Sequence, residues 1–453
     1  MLWTGAPELL SLHFRRRCQK GQIMTQRTTR RLAAIAIPAA GLILLAGCAG
    51  GSDGSGDGGD DGGESVEFSF MYATSNNLES PYETLANEYM EAHDGVTITT
   101  NPLPNDSYGE TLRTQLQAGN APDVIQTTPG SGDPRSVVPL AEAGFLEPLG
   151  ETAAGLVPEG ADALFTVDGE VYGQPMDFTL STLVVNMSAA AEAGLDDFPA
   201  TTDELLASCG EVAENGASLV VLAGAAAPNA GLTAQAIAAT RVYAETPDWN
   251  DQRAAGEVTF AESDGWHDVL QTILDMKDAG CFQPGAEGAG FDAITNGLAQ
   301  GTSLGSFIPS GSAVEIGRAA PDVEWAIQPF PPADGGDPYL IASSNYTISI
   351  NAASENKEAA AEFLEWLAQP EQAERFSELS GELPVSGIEG LDLTGTIYEP
   401  VVDLLQSGHY AGLPNAFWKG EVYEKLSSGV QGLLTGQKTV DAVLADMDAA
   451  WGD

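Results

Sequence analysis

What this chain has least of is positive charge. Across 453 residues, 18 Lys and Arg stand against 65 Asp and Glu, a formal net charge of −47 at pH 7. A surface of that sign repels nucleic acid and anionic lipid and favours solubility. Histidine is nearly as scarce: four in all, with His93, His267 and His409 at no metal-ligand spacing. The four cysteines include no C-x-x-C pair, which excludes a redox dithiol and a cysteine metal cluster. No glycine-rich loop ends in Lys-Ser/Thr, so nucleotide hydrolysis would belong to another protein. Long apolar runs are missing too. Residues 32–45 fall short of the roughly 20 apolar positions that a membrane-spanning helix needs.

That short run still organises the chain. Arg27, Arg30 and Arg31 precede it and Leu45-Ala46-Gly47-Cys48 closes it. A basic start, a short apolar middle and small residues at the cut make a secretory signal. L-A-G-C resembles a bacterial lipobox, in which the cysteine is lipidated and becomes the new N-terminus. We therefore expect lipid on Cys48, and a chain held at the extracellular face of the cell membrane by that anchor alone. Residues 1–47 read as a dispensable extension plus signal peptide, with Met24 a candidate start. Arg30-Arg31 fits a twin-arginine signal poorly, because Ala33 and Ala34 follow. Residues 1–47 hold seven of the 18 Lys and Arg and one of the 65 Asp and Glu, so the remainder carries a net −53.

Glycine, serine and acid fill residues 49–64, and residues 48–65 read as a lipidated cysteine and flexible linker. Its root-mean-square reach is roughly 20–25 Å. Beyond it only Cys209 and Cys281 remain. A pair in an oxidising compartment is a candidate disulfide; the alternative is two buried thiols.

Val66, Phe68 and Phe70 alternate with polar neighbours, the period of a strand. Ser80-Pro81-Tyr82-Glu83 then opens a helix with a serine cap and a proline in the first turn. A strand over 96–99, a helix over 108–117 ended by Gly119, and a strand over 123–126 follow. That order implies a parallel α/β sheet with right-handed crossovers. Ligands of such sheets bind beyond the carboxyl ends of the strands. The loops at 72–77, 127–131 and 176–179 are thereby singled out.

Gly119-Asn120-Ala121-Pro122-Asp123-Val124, Asp168-Gly169-Glu170-Val171-Tyr172-Gly173-Gln174-Pro175 and Val185-Asn186 resemble the extracellular solute-binding proteins of ABC importers. The subgroup is the carbohydrate-binding one that includes maltose-binding protein. Ile350-Asn351-Ala352-Ala353-Ser354-Glu355-Asn356-Lys357-Glu358-Ala359-Ala360 carries the resemblance furthest. It implies a two-lobed periplasmic-binding-protein-like α/β fold with a hinge and an interlobe ligand cleft. Matching segments put the first lobe at 66–178 and 343–392, and the second at 179–342 and 393–453. Crossings are expected near 176–181, 341–346 and 391–396. The resemblance further implies a monomer that binds a carbohydrate and meets the transmembrane subunits of an ABC permease, with no cofactor, no metal and no catalytic residue.

Candidate ligand-binding residues follow from these loops and matches. Trp418 aligns with a cleft tryptophan of the family, and an indole face suits the C–H face of a sugar; the alternative is a core tryptophan on a helix over 417–426. Tyr72, Asn76 and Asn77 end the first strand, where sugar hydroxyls could be bonded. Thr128 and Gly130 follow the third strand, where the maltose protein carries a tryptophan and charged residues. Asp177 at the first crossing is the preferred hydroxyl acceptor. Asn229, Phe307 and Asn345 complete the set, with Ser343 and Ser344 beside Asn345 as possible cleft residues. A sugar is the first expectation, a polyol or polyol phosphate the second. Gly301-Thr302-Ser303-Leu304-Gly305 also satisfies the serine-hydrolase pattern G-x-S-x-G, with His409 downstream. Pro309 and Gly311 make a poor helix start after it, against the strand-to-helix turn such an elbow needs.

Overall fold

The computed structural model describes residues 65–74, 80–132, 134–158, 161–333, 335–385, 387–419 and 421–452. Cys48, the signal and tether, Asn76 and Asn77 lie outside the described residues.

The chain builds two principal sheets. The first has five strands in the order Val96–Pro104, Val66–Thr74, Val124–Thr127, Thr347–Ile350, Gln174–Pro175. Its first three strands are parallel, and Thr347–Ile350 enters antiparallel beside Val124–Thr127. Parallel strands need helical crossovers, and the sequence supplies them. Ser80 caps helix Pro81–Ala92, its hydroxyl accepting the Tyr82 N–H at 3.3 Å. Tyr82, Leu85, Ala86 and Tyr89 form the buried stripe of that helix. Helix Asn105–Ala118 stops at Gly119, whose φ of 70° places it in the left-handed region that glycine enters without penalty.

The second sheet has six strands. Tyr410–Ala411, Leu340–Ser343, Thr179–Asn186, Ser303–Pro309 and Ser218–Val220 run in that order, with Trp325–Gln328 paired to Thr179–Asn186. All eight residues of Thr179–Asn186 are buried, as a central strand covered on both faces requires. Helix Thr202–Glu214 opens on a capping box of Thr201 and Glu204. Three helices, Ala227–Ala238, Val422–Leu434 and Val440–Trp451, pack together in this half, and the Trp249, Phe260, Trp266, Trp418 and Trp451 rings join its core.

Three short passages connect the sheets. The chain leaves the first sheet at Pro175 and enters the second at Thr179; it returns between Ser343 and Thr347. Helices Lys357–Leu367 and Pro370–Ser380 pack on the first sheet's side, and Phe363, Leu364, Leu367 and Phe376 join that core. Beyond them Leu383, Ile388 and Leu393 already belong to the second core, so the third passage comes directly after Ser380.

Cys209 and Cys281 are joined by a disulfide, their Cα atoms 4.6 Å apart and 72 residues apart in sequence. It ties helix Thr202–Glu214 to the turn after helix Asp264–Asp278. A loop of that size implies roughly 4 kcal/mol of stabilisation in the chain-entropy model. The Cys209→Ser/Cys281→Ser double variant is expected to lose stability of that order in urea unfolding. Equal midpoints for variant and parent would show that the link constrains nothing.

Candidate functional site

A cavity of about 450 Å³ lies where the two halves meet. Pro158 and residues 161–165 come from the first half, residues 247, 248, 250, 251, 342 and 343 from the second, Phe178 from the outgoing passage and Ser344 from the return passage. Tyr339, residues 410–412 and Phe417 complete its lining. The volume falls within the usual range for a small-molecule site, and the position between lobes is a usual place for one.

Aromatic rings supply the apolar surface. Phe178 and Tyr410 meet edge to face with centroids 5.2 Å apart. The Tyr339 hydroxyl donates to the Tyr410 carbonyl at 3.0 Å and fixes two lining segments to each other. Phe165 and Phe417 present further ring surface. The polar groups are Asp162, Asp248 and Asp251, all exposed, with Ser343 and the buried Asn250. Asn250 Oδ1 accepts from Trp418 Nε1 at 3.2 Å and from the Tyr243 hydroxyl at 3.1 Å. Two donors on one side of the amide fix its orientation. Its Nδ2 has no partner among the described residues and is left as a preset donor. No Lys, Arg or His is among the described lining residues.

Ser343 and Ser344, named from the sequence as possible cleft residues, line this cavity; none of the eight other described candidates does, and several stand directly behind its wall. Trp418 is 1% exposed, packed against Phe260 and Trp266, and it orients Asn250. It sits in the loop after the turn Pro414–Phe417, and the helix expected over 417–426 begins only at Val422. An open stacking platform is therefore not what Trp418 offers in this structure. Tyr72 is fully buried in an aromatic cluster with Phe70 and Tyr82, because the alternation of its strand turns it to the core. Phe307 is likewise in the core. Asn229 is consumed internally: its Oδ1 accepts from Ala223 N and its Nδ2 donates to the Phe307 carbonyl, at 2.9 and 2.8 Å. Thr128 lies near Ser136, hydroxyl to hydroxyl at 3.3 Å. Gly130, with φ of 74°, donates to the Leu164 carbonyl at 2.8 Å, and a Cβ there would collide with the Ala416 carbonyl. Its role is close approach of the backbone under the cavity.

Asp177 was expected to face a ligand hydroxyl; it instead bonds the return passage. Its Oδ1 accepts from Asn345 N at 2.9 Å, Tyr346 N at 2.8 Å and the Ser344 hydroxyl at 3.3 Å. Asn345 meets it through the main chain, its residue being otherwise exposed. Burial, followed by the nearby Glu382 charge, holds the Asp177 carboxyl well above the usual carboxylate range. Burial likewise pushes Glu382 up to about 7, against hydrogen bonds from Ser310, Thr179 and Gly311. Ser303 and His409 do not form a catalytic pair: Ser303 Oγ lies 2.7 Å from Ser218 Oγ within the sheet, and the exposed His409 ring bonds Ser407.

Tyr339, Tyr410, Phe417, Asn250 and Asp251 were not singled out from sequence. The available signal was aromatic and polar residues in Pro- or Gly-bounded loops, as in Pro247-Asp248-Trp249-Asn250-Asp251 and Gly408-His409-Tyr410-Ala411-Gly412.

The family model for bacterial extracellular solute-binding proteins matches residues 73–374, well over half of the chain. This chain belongs to that family. Its relatives are binding proteins, and the chain is not an enzyme. A binding protein of Brucella abortus (strain 2308) is 24% identical over 385 residues, which cover 81% of this chain and 88% of that one. Among solved structures, RafE in complex with raffinose superposes with a TM-score of 0.70 at 20% identity, over 85% of this chain and 98% of RafE. An ABC transporter solute-binding protein from Thermotoga lettingae bound with α-D-tagatose gives 0.70 at 20% identity, covering 86% of this chain and all of the other. These likenesses establish the two-lobed solute-binding fold.

Glu382 has a folded-state pKa above its ordinary 4.5. Its contribution to stability is full below about pH 4.5 and is lost as pH rises towards 7, because the unfolded chain releases this proton first. Glu382→Gln should therefore show less loss of stability across that window than the parent, read from urea midpoints at stepped pH. Parallel profiles for the two proteins would contradict the assignment. Trp418→Ala should cost roughly 3–5 kcal/mol, as a buried tryptophan does. A drop under about 1 kcal/mol in the same assay would place Trp418 outside the core.

Proposed function

We propose that this chain captures a carbohydrate in the cleft between its lobes and passes it to the transmembrane permease of an ABC importer. The observation that carries this reading is the cavity itself, lined from both halves by aromatic rings, carboxylates and the preset Asn250 amide. Flat rings against C–H faces, with directional polar groups at the edges, are what a sugar ring needs. The raffinose complex of RafE, the tagatose complex from Thermotoga lettingae and the chitin oligosaccharide binding protein support the ligand class by likeness of fold.

Charge separates this from the polyol phosphate alternative. Asp162, Asp248 and Asp251 line the cavity without a described cation, so a phosphate would enter against their field. A neutral sugar or polyol meets no such opposition. Capture needs no covalent step: a ligand touching both lobes stabilises the closed arrangement by its differential affinity. The lobes we propose are 66–178 with 343–380 and 179–342 with 383–453; the sequence reading put the last crossing near 391–396, but Leu383 and Ile388 already pack in the second core. Lipid on Cys48 and the 49–64 tether would keep a monomeric domain near its permease on the outer face of the membrane, a reading that rests on the lipobox and signal pattern.

A thermal-shift panel of the exported chain would use raffinose, tagatose, chitin oligosaccharides, xylo-oligosaccharides and neutral polyols. A ligand at about 100 times its dissociation constant should add roughly 2.7 kcal/mol of stability. Asp251→Ala and Tyr410→Ala should each weaken that ligand about tenfold or more while the ligand-free melting point of Asp251→Ala stays put. A panel in which only sugar phosphates or peptides raise the melting point would sink the carbohydrate assignment and leave the family standing.

A further inference from the structure

Two carboxylates are buried where the lobes join, and they belong to different passages of the chain. Asp177 lies on the outgoing passage and Glu382 on the third; Asp177 is fully buried and Glu382 is 6% exposed. Reciprocal backbone hydrogen bonds between Phe178 and Leu383, at 2.8 and 3.0 Å, hold the two passages side by side. Each carboxylate then grips a different part. Asp177 Oδ1 gathers the Asn345 and Tyr346 N–H groups and the Ser344 hydroxyl of the return passage. Glu382 Oε2 accepts from the Ser310 hydroxyl at 2.7 Å, at the end of strand Ser303–Pro309 in the second sheet. Ser310 in turn lies 3.2 Å from the Thr179 hydroxyl and receives the Leu180 N–H at 3.1 Å. One network thus spans all three passages.

Among the described residues the network holds no cation. No Lys, Arg or His among the described residues bonds or ion-pairs with either carboxylate. The titratable groups facing the pair are the two carboxyls themselves, Tyr82 from helix Pro81–Ala92, Tyr346 on the return passage and Tyr398 from the second half. The Arg135 charge reaches Tyr82. Asp177 Oδ2 is buried with no hydrogen-bond partner. Burying two anions side by side without a counter-ion is strongly unfavourable, whereas one proton on the pair removes the repulsion.

We propose that Asp177 and Glu382 hold one proton between them as a proton-linked latch of the hinge. The arrangement of lobes seen here persists while the pair carries that proton. When the proton leaves to bulk water the two anions repel, water enters the joint, and the lobes shift to another disposition. Burial raises both carboxyls, Glu382 to about 7, and the Glu382 charge raises Asp177 further, so the pair sheds its last proton only above the pH at which Glu382 titrates. The latch rests on the reading of these passages as a hinge between ligand-binding lobes.

Small-angle X-ray scattering of the ligand-free chain tests it, from about pH 5 to about pH 10 at fixed moderate salt. The radius of gyration is expected to change with a midpoint above about pH 7, and Glu382→Gln, which cannot ionise, should give a flat profile. Ser310→Ala removes a hydrogen bond from ionised Glu382 and should move the midpoint upward. An unchanging radius in the parent chain overturns the latch whatever the variants do, and so does a Glu382→Gln profile that keeps the transition. Sugar binding that persists without any transition would sink only the latch. A transition that persists while the sugar panel stays silent would sink only the ligand class and support the latch.

Discussion

The joint between the lobes depends on a single buried carboxylate. A chain that switches from one sheet to another must break its ladder, and main-chain N–H groups in the break need new acceptors. At the return passage Asp177 supplies that acceptor to two successive N–H groups, those of Asn345 and Tyr346. Asp177 itself stands on the outgoing passage, one residue before the Phe178–Leu383 bridge. The three passages are thereby bound to one another over a few residues. Everything that reaches the cleft from either lobe is positioned relative to this joint: Phe178 and Ser344, on either side of Asp177's bonds, both line the cavity.

Around it, large buried rings act as struts for smaller polar groups. Trp418 and Tyr243 aim their donors at one oxygen of Asn250, leaving the amide nitrogen of Asn250 as the group offered to the cleft. Gly130 lets the backbone after strand Val124–Thr127 press against Ala416 and Leu164, carrying the 410–417 segment under the first lobe. Recognition is in this way one layer removed from the residues most visible in sequence. The rigid aromatic layer is the second lobe's core, and the cleft is the loop edge of that core.

The fold was legible because its signals are local. The alternation of Val66, Phe68 and Phe70 and the cap at Ser80 each specify an element without reference to distant residues, and both stand as read. The cysteine pair could be named because only two cysteines remained, and it is joined. The site was less legible, for a physical reason. Tyr72, Phe307 and Trp418 carry both the large apolar area that a core wants and the flat face that a sugar wants, and sequence alone does not say which demand was met. Burial met the first. Asp177 was rightly placed at a crossing, yet its partners lie 168 and 169 residues away, beyond any pattern of spacing. Tyr339 and Tyr410 come together only because their strands pair in the second sheet.

The central claim is that one ligand is held by both lobes at this cavity. Hydrogen–deuterium exchange of the chain, with and without whichever sugar raises its melting point, tests that most directly. The account predicts simultaneous protection of residues 161–165 in the first lobe, 247–251 in the second, and 339–344 and 410–417 between them. A second cavity of about 570 Å³ lies wholly within the second lobe, lined by Ser218, Phe282, Gln283 and Asn296 among others. Protection confined to that region, with 161–165 unchanged, would contradict capture between the lobes.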